Sequence, residues 1–247
     1  VQTVAGVPPD YFSKTGQLWG NPVYNWSAMK KEEYQWWVER FQCLFILTDC
    51  VRLDHFRGFE AYWEVPETAK TAIDGQWVKG PGKDLFEAVK QKISNIPLIA
   101  EDLGVITPEV VALRKGCHFP GMHVLQFAFE GDKIGTLQLN LGSVDRVVYT
   151  GTHDNDTTVG WFEALSKKDV IQAEAVCKAL NLSSKASANI VCHQMVEAAL
   201  MGPGMRAIIP FQDVLSFDSE ARRNRPGIAE GNWQWRVKQE YITRDLA

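Results

Sequence analysis

Ile96-Pro97-Leu98-Ile99-Ala100-Glu101-Asp102 reads as a short buried strand that runs directly into two carboxylates. The apolar run is too short for a buried helix, so it is assigned as a strand. Upstream, residues 83–94 read as a helix with Leu85, Phe86, Val89 and Ile93 on one face. Downstream, Thr107-Pro108-Glu109 opens a helix to about residue 115, with proline in the first turn where its missing N–H costs nothing. A strand between two helices is the unit of a parallel sheet.

The same alternation extends in both directions. Short apolar strands are expected at residues 49–54, 123–129, 146–150 and 206–210, and helices at 27–47 (Ser27 as N-cap), 167–181, 187–201 and from 238. Residues 1–26 carry Pro8, Pro9, Gly16, Gly20 and Pro22 and read as a long ordered loop, of a length that usually has a function. Four of the strands end in a polar or carboxylate-bearing group. Asp54, Glu101 and Asp154 stand at three strand ends, and Gln212-Asp213 follows the last strand. Active sites lie at the carboxyl ends of the strands in an α/β barrel, and in a crevice outside those ends in an open doubly wound sheet. The sequence has no GxGxxG and no GxxxxGK[ST], so an open nucleotide-binding sheet would lack its phosphate cradle. The expected class is therefore α/β, a (β/α)8 barrel. Five strands are too few to close one. With an opening that reads as mid-loop, the 247 residues are expected to be the C-terminal portion of a single catalytic barrel domain: residues 1–26 a substrate-covering loop, residues 27–247 barrel strands and helices.

Composition narrows the function classes. A net charge of −4 and a pI near 5.8 carry no basic footprint for nucleic acid. No apolar run approaches the roughly 20 residues of a membrane span, and the opening Val-Gln-Thr-Val-Ala-Gly does not read as a signal peptide. The five cysteines include no CxxC spacing and read as reduced thiols, with no disulfide framework and no zinc site. No metal site and no cofactor are expected. Nine tryptophans are many for this length. Trp19, Trp233 and Trp235 lie in Gly/Asn/Pro-rich stretches, where a flat ring suits packing against a sugar face. Trp36, Trp37 and Trp63 read as core.

Any one strand-end carboxylate could be a helix cap or a surface ion pair, but three at successive strand ends would converge on one cavity in a barrel. Glycosyl transfer needs such a set: a nucleophile, and an acid that holds its proton near neutral pH. Glu101, after Leu98-Ile99-Ala100, suits the acid/base because burial raises a carboxyl pKa. Arg52 lies two residues before Asp54, on the same face of a strand, and can keep Asp54 ionised as the nucleophile.

The sequence resembles the 4-alpha-glucanotransferases, also called amylomaltases or disproportionating enzymes. The matching segments are Ala5-Gly6-Val7-Pro8-Pro9-Asp10-Tyr11-Phe12, Gly16-Gln17 with Trp19-Gly20-Asn21-Pro22, and Arg52 with Asp54-His55-Phe56-Arg57-Gly58-Phe59. Further on come Ala100-Glu101-Asp102-Leu103-Gly104-Val105-Ile106-Thr107, Pro120-Gly121-Met122, Val124 to Phe129, Tyr149-Thr150-Gly151-Thr152-His153-Asp154-Asn155-Asp156-Thr157, and Gly231-Asn232-Trp233 with Trp235-Arg236. The resemblance implies a barrel in which Asp54 closes strand 4 as nucleophile, Glu101 strand 5 as acid/base, and Asp154 strand 7 as the carboxylate that steadies the distorted sugar. It also implies that Arg52, His55 and His153 contact substrate beside these acids. Asp10, Tyr11, Phe12, Gln17, Trp19 and Asn21 would form a lid over the acceptor side, and Phe127 and Asn224 would line the cleft. Asp156 competes with Asp154 for the third role or caps the following helix. The family's first half is absent, and residues 131–145 depart from its usual loop.

The implied partners are maltooligosaccharides and other α-1,4-glucans, with no nucleic acid and no membrane. The implied compartment is the cytoplasm, or alternatively a plastid stroma. An α-amylase-type hydrolase shares the carboxylate set, but the Pro8-Pro9-Asp10-Tyr11-Phe12 segment argues against it. A glucan-binding module without catalysis, or a fragment inactive by itself, are the other readings.

Overall fold

The structure, a computed structural model, describes residues 2–10, 13–130, 138–228 and 230–243. It divides into two compact units, residues 1–121 and 122–247.

The first unit contains two sheets. One is antiparallel, in the order β2-β1-β4-β5, built from β1 (Thr3–Val7), β2 (Gln17–Pro22), β4 (Ala61–Pro66) and β5 (Gln76–Lys79). It was not expected, because Pro8, Pro9 and Gly16 outweigh the alternation along Thr3–Val7, where Val4 and Gly6 turn inward. Gly16 makes the β1–β2 connection possible: its φ is +69°, and a Cβ there would lie 2.3 Å from the Val7 carbonyl oxygen. The other sheet is parallel. β3 (Val51–Leu53) pairs with β6 (Leu98–Ala100) in the register Val51↔Leu98, Arg52↔Ile99, Leu53↔Ala100.

The helix expected over 27–47 is two helices, α1 (Trp26–Lys31) and α2 (Gln35–Leu47). Glu33 and Tyr34 between them adopt left-handed φ of 51° and 56°, and Asn25, not Ser27, caps α1 by accepting from the Ala28 N–H. The break lets Tyr34, Trp37 and Phe41 all turn into one aromatic core with Phe56, Phe59, Phe86 and Phe119. The helices α3 (Lys83–Lys92) and α4 (Pro108–Gly116) flank β6 as expected.

Strand β7 (Gly121–Val124) begins at the boundary. The expected strand 123–129 ends early because Leu125–Phe127 coil into a 3-10 turn, followed by β8 (Phe129–Glu130), which pairs antiparallel with β9 (Gln138–Leu139). In the second unit β10 (Arg146–Tyr149) pairs in parallel with β11 (Arg206–Ile208). Helix α5 (Thr158–Lys168) is the helix implied after Asp156; its range was not marked, since Thr158, Val159 and Gly160 are poor helix formers in its first turn. It is capped by Thr157, whose hydroxyl accepts from the Gly160 N–H. Helices α6 (Val170–Ala179) and α7 (Ala188–Met201) follow, then the short α8 (Phe211–Val214). In place of a helix from 238, only a 3-10 turn at Gln239–Tyr241 is formed among the described residues. The unit's core joins Leu125, Val148 and Phe162 to Val176, Val191 and Met195.

Among the described residues no helix is long and apolar enough to cross a membrane. Cys117, Cys177 and Cys192 are buried free thiols, whereas Cys43 is exposed.

Candidate active site

In the first unit the β3–β6 register places the next residue of each strand, Asp54 and Glu101, side by side. Backbone bonds continue past the strands: the Glu101 N–H donates to the Leu53 carbonyl at 3.0 Å, and the Phe56 N–H donates to the Glu101 carbonyl at 3.1 Å. Between them the chain turns at His55, in the left-handed region with φ 48°. That turn aims the His55 N–H at Glu101 Oε2, 2.7 Å away, while the Leu103 N–H donates to Oε1 at 3.0 Å. Both oxygens of Glu101 are thus held by backbone. Burial pushes the Glu101 carboxyl above its ordinary pKa, with the Asp54 charge adding to it and the two N–H groups and Arg52 opposing.

Arg52 Nη1 lies 2.7 Å from Asp54 Oδ1, as the strand alternation predicts. The Asp54 side chain is 75% exposed and the arginine half-buried, so the nucleophile candidate faces open space while its partner is anchored. His55 is neutral at physiological pH: burial, aided by the Arg57 charge, lowers its pKa to about 4 against the pull of Asp54. Its ring fits because residue 58 is glycine; a Cβ there would sit 3.1 Å from His55 Cδ2. Trp19 of β2 meets the His55 ring edge-to-face, with centroids 4.7 Å apart.

In the second unit the loop after β10 carries His153 and Asp154. Asn224 Nδ2 donates to Asp154 Oδ1 at 2.6 Å, and His153 Nε2 lies 3.4 Å from Oδ2. Arg222 holds the backbone, donating to the Asp154 carbonyl at 2.7 Å. The His153 ring faces Trp233 at 5.3 Å, and Trp233 takes a left-handed φ of 62° to do so. Asp156 turns elsewhere: it accepts from Ser219 Oγ at 2.8 Å and from the Thr157 N–H at 2.9 Å. Thr157 fills the cap position suggested for Asp156.

The family model described as 4-alpha-glucanotransferase matches residues 1–242. The chain belongs to the 4-alpha-glucanotransferase family. It is 49% identical over 241 residues to the 4-alpha-glucanotransferase of Synechocystis sp., covering 97% of this chain and 46% of that protein. It is 47% identical over 234 residues to the Arabidopsis thaliana 4-alpha-glucanotransferase described as chloroplastic/amyloplastic, covering 95% and 40%. Among solved structures, the Streptococcus agalactiae amylomaltase in complex with acarbose superposes with a TM-score of 0.89 at 35% identity, over 99% of this chain and 48% of that one. The chain spans about half the length of the relatives it matches.

Of the residues that the 4-alpha-glucanotransferase resemblance singles out, the first unit gathers Arg52, Asp54, His55, Glu101 and Trp19. Gln17 joins them through the Trp19 indole, which donates to its Oε1 at 3.2 Å. Because β2 is a strand, Gln17, Trp19 and Asn21 share one face. Asp10 is engaged in its own turn, accepting from the Ser13 N–H at 2.8 Å. Tyr11 and Phe12 lie outside the described residues. The second unit gathers His153, Asp154 and Asn224; Phe127 stands exposed at the end of its 3-10 turn. Sequence reasoning missed Arg222 and Ser219, whose roles depend on a chain reversal that local patterns do not encode. Among the described residues no three His, Cys, Asp or Glu side chains are grouped to hold a metal.

Proposed function

We propose that this chain supplies strands 4 to 8 and the catalytic carboxylates of a (β/α)8 barrel that moves α-1,4-glucan segments between maltooligosaccharides. β3, β6, β7, β10 and β11 are taken as those five strands, the whole forming one catalytic domain. Asp54 attacks the anomeric carbon while Glu101 gives its proton to the departing glycosidic oxygen. The glycosyl group then rests on Asp54 as an ester. Glu101, now ionised, takes the proton of an incoming 4-hydroxyl, which displaces Asp54 and restores the original configuration. Asp154, oriented by Asn224 and His153, accepts sugar hydroxyls and favours the distorted ring. Arg52 holds Asp54 in place, and His55, Asp10, Asn21 and Phe127 contribute to the cleft.

The observation that carries this reading is the β3–β6 register with Glu101 beyond it. Adjacent strands run about 4.8 Å apart, which suits the separation of about 5–5.5 Å that a retaining pair requires. Burial shifts Glu101 toward its protonated form, the direction an acid for the leaving oxygen requires. Transfer rather than hydrolysis requires water to be kept from the ester while an acceptor binds. The face of β2 carrying Gln17, Trp19 and Asn21 is assigned that task. The proposed compartment is the cytoplasm, with the plastid stroma as the alternative; the Arabidopsis relative described as chloroplastic/amyloplastic fits the latter.

The test is product analysis of the full-length protein on maltotriose. Glucose together with oligomers longer than the substrate is the expected outcome. Hydrolysis to maltose and glucose alone would instead make it an α-amylase-type hydrolase.

A further inference from the structure

Asp213 is a carboxylate that the proposed chemistry does not use. It lies in α8, five residues beyond the end of β11, and is 1% exposed. Among the described residues no cation pairs with it. It receives hydrogen bonds from Thr150 Oγ1 at 2.5 Å, the Thr158 N–H at 2.7 Å and Thr158 Oγ1 at 2.8 Å. Thr150 is the last residue before the loop that carries His153 and Asp154, and Thr158 is the first residue of α5 after it. One buried side chain therefore ties down both ends of that loop. Asp154 stands at its midpoint, four residues from each anchor.

We propose that Asp213 is a positioning residue that fixes the span and register of the 151–157 loop, and so the aim of Asp154, without touching substrate. A buried carboxylate with hydrogen bonds but no counter-charge is an expensive way to join two segments. Burial does push its pKa up, against the three donors. What it gives in return is geometry: a carboxylate accepts from three donors at fixed angles, so both loop ends are referred to a single group. The loop's own fittings depend on that span. Gln126 Nε2 reaches the Asp156 carbonyl at 2.9 Å, and a Cβ on Gly151 would come within 2.8 Å of the same Nε2. A drift of one anchor would thus be felt along the loop.

This inference rests on the proposed role of Asp154, and the experiment separates the two. In the full-length protein, Asp213→Asn, Thr158→Val and Asp154→Asn are compared by kcat and KM on maltotriose, alone and as the double variants with Asp154→Asn. Misplacement of a catalytic group by about 1 Å costs up to about 100-fold. Asp213→Asn is expected to lower kcat by about that factor, and Thr158→Val by about tenfold. KM should stay within about threefold. Thr158→Ser, which keeps the hydroxyl, should recover most of the rate. In the Asp154→Asn background neither change should cost anything further, because residues acting as a unit are not additive. If Asp213→Asn fails to fold, Thr158→Val and its double variant carry the test. Equal losses with and without Asp154 would overturn the inference and leave Asp213 a structural tie. So would a full rate for Thr158→Val while Asp154→Asn is impaired. A full rate for Asp154→Asn itself would overturn the role assigned to Asp154 and the inference with it.

Discussion

Replacing Glu101 by glutamine removes the proposed proton-transfer group and leaves the side-chain volume almost unchanged. In the protein Oε2 accepts from the His55 N–H and Oε1 from the Leu103 N–H. Glutamine keeps one of these bonds and turns its amide nitrogen toward the other donor. One backbone N–H loses its acceptor, at about 1–3 kcal/mol if no water replaces it. The chemical loss is larger. General acid catalysis contributes about 10²–10⁴-fold, so kcat on maltotriose should fall by at least about 100-fold. The two contributions separate with a glycosyl fluoride donor, whose leaving group needs no proton. With it, ester formation by Glu101→Gln should return to within about tenfold of the unmodified protein, while turnover stays slow because the acceptor hydroxyl still lacks its base. Single-turnover release of fluoride is the assay. A variant equally impaired with both donors would refute the reasoning, and would mean that Glu101 shapes the His55 turn rather than supplying a proton.

Other outcomes follow from the same geometry. The His55 ring should titrate near pH 4 in an NMR pH series; its folded pKa lies below the unfolded value, so stability of up to about 3 kcal/mol is present above about pH 6.5 and lost as pH falls toward 4, and a midpoint above 6 would contradict the burial assigned to it. Trp19→Ala removes the ring against His55 and should raise the hydrolysed fraction of product and KM by up to about tenfold, read by chromatography of maltotriose products; an unchanged transfer-to-hydrolysis ratio would remove β2 from the water-excluding role. Arg114 and Asp102 form a buried ion pair with side chains 2% exposed each, 3.2 Å from Nε to Oδ2; Arg114→Met should cost about 3–5 kcal/mol in urea unfolding, with most of it recovered in the Arg114→Met, Asp102→Leu pair, and a loss below about 1 kcal/mol would deny that the pair anchors the segment after Glu101. The 247-residue chain by itself should show no transfer on maltotriose, since Ile46 and Leu47 at the end of α2 stand 83% and 80% exposed; measurable transfer would overturn the assignment of only part of a barrel to it.

The chemistry was more legible in the sequence than the local shape. Arg52 and Asp54 could be paired from strand alternation alone, because a period of two leaves no choice of face. Glu101 could be marked as the candidate acid because an apolar run precedes it, and burial does raise its carboxyl pKa. The five short parallel strands could all be located because each is an apolar run too short for a helix. What failed were the places where a tertiary demand overrides a local preference. The Trp26–Leu47 segment is continuous by propensity, yet Tyr34 must turn into the aromatic core, and two left-handed residues break the helix to allow it. β2 lies under a glycine-and-proline composition that reads as loop, but pairing with β1 makes it a strand and aligns Gln17, Trp19 and Asn21. Asp213 was visible only as a polar residue after a strand. Its three donors come from positions 55 and 63 residues away in sequence, a distance at which no local pattern speaks.

Asp54 is proposed to carry the glycosyl group between donor and acceptor. The most direct measurement is peptide mass spectrometry of Glu101→Gln full-length protein, acid-quenched after mixing with a maltosyl fluoride. A maltosyl adduct is expected on the peptide that contains Arg52 to Gly58, localised to Asp54 and abolished by Asp54→Asn. No adduct, or an adduct on another residue, would contradict it.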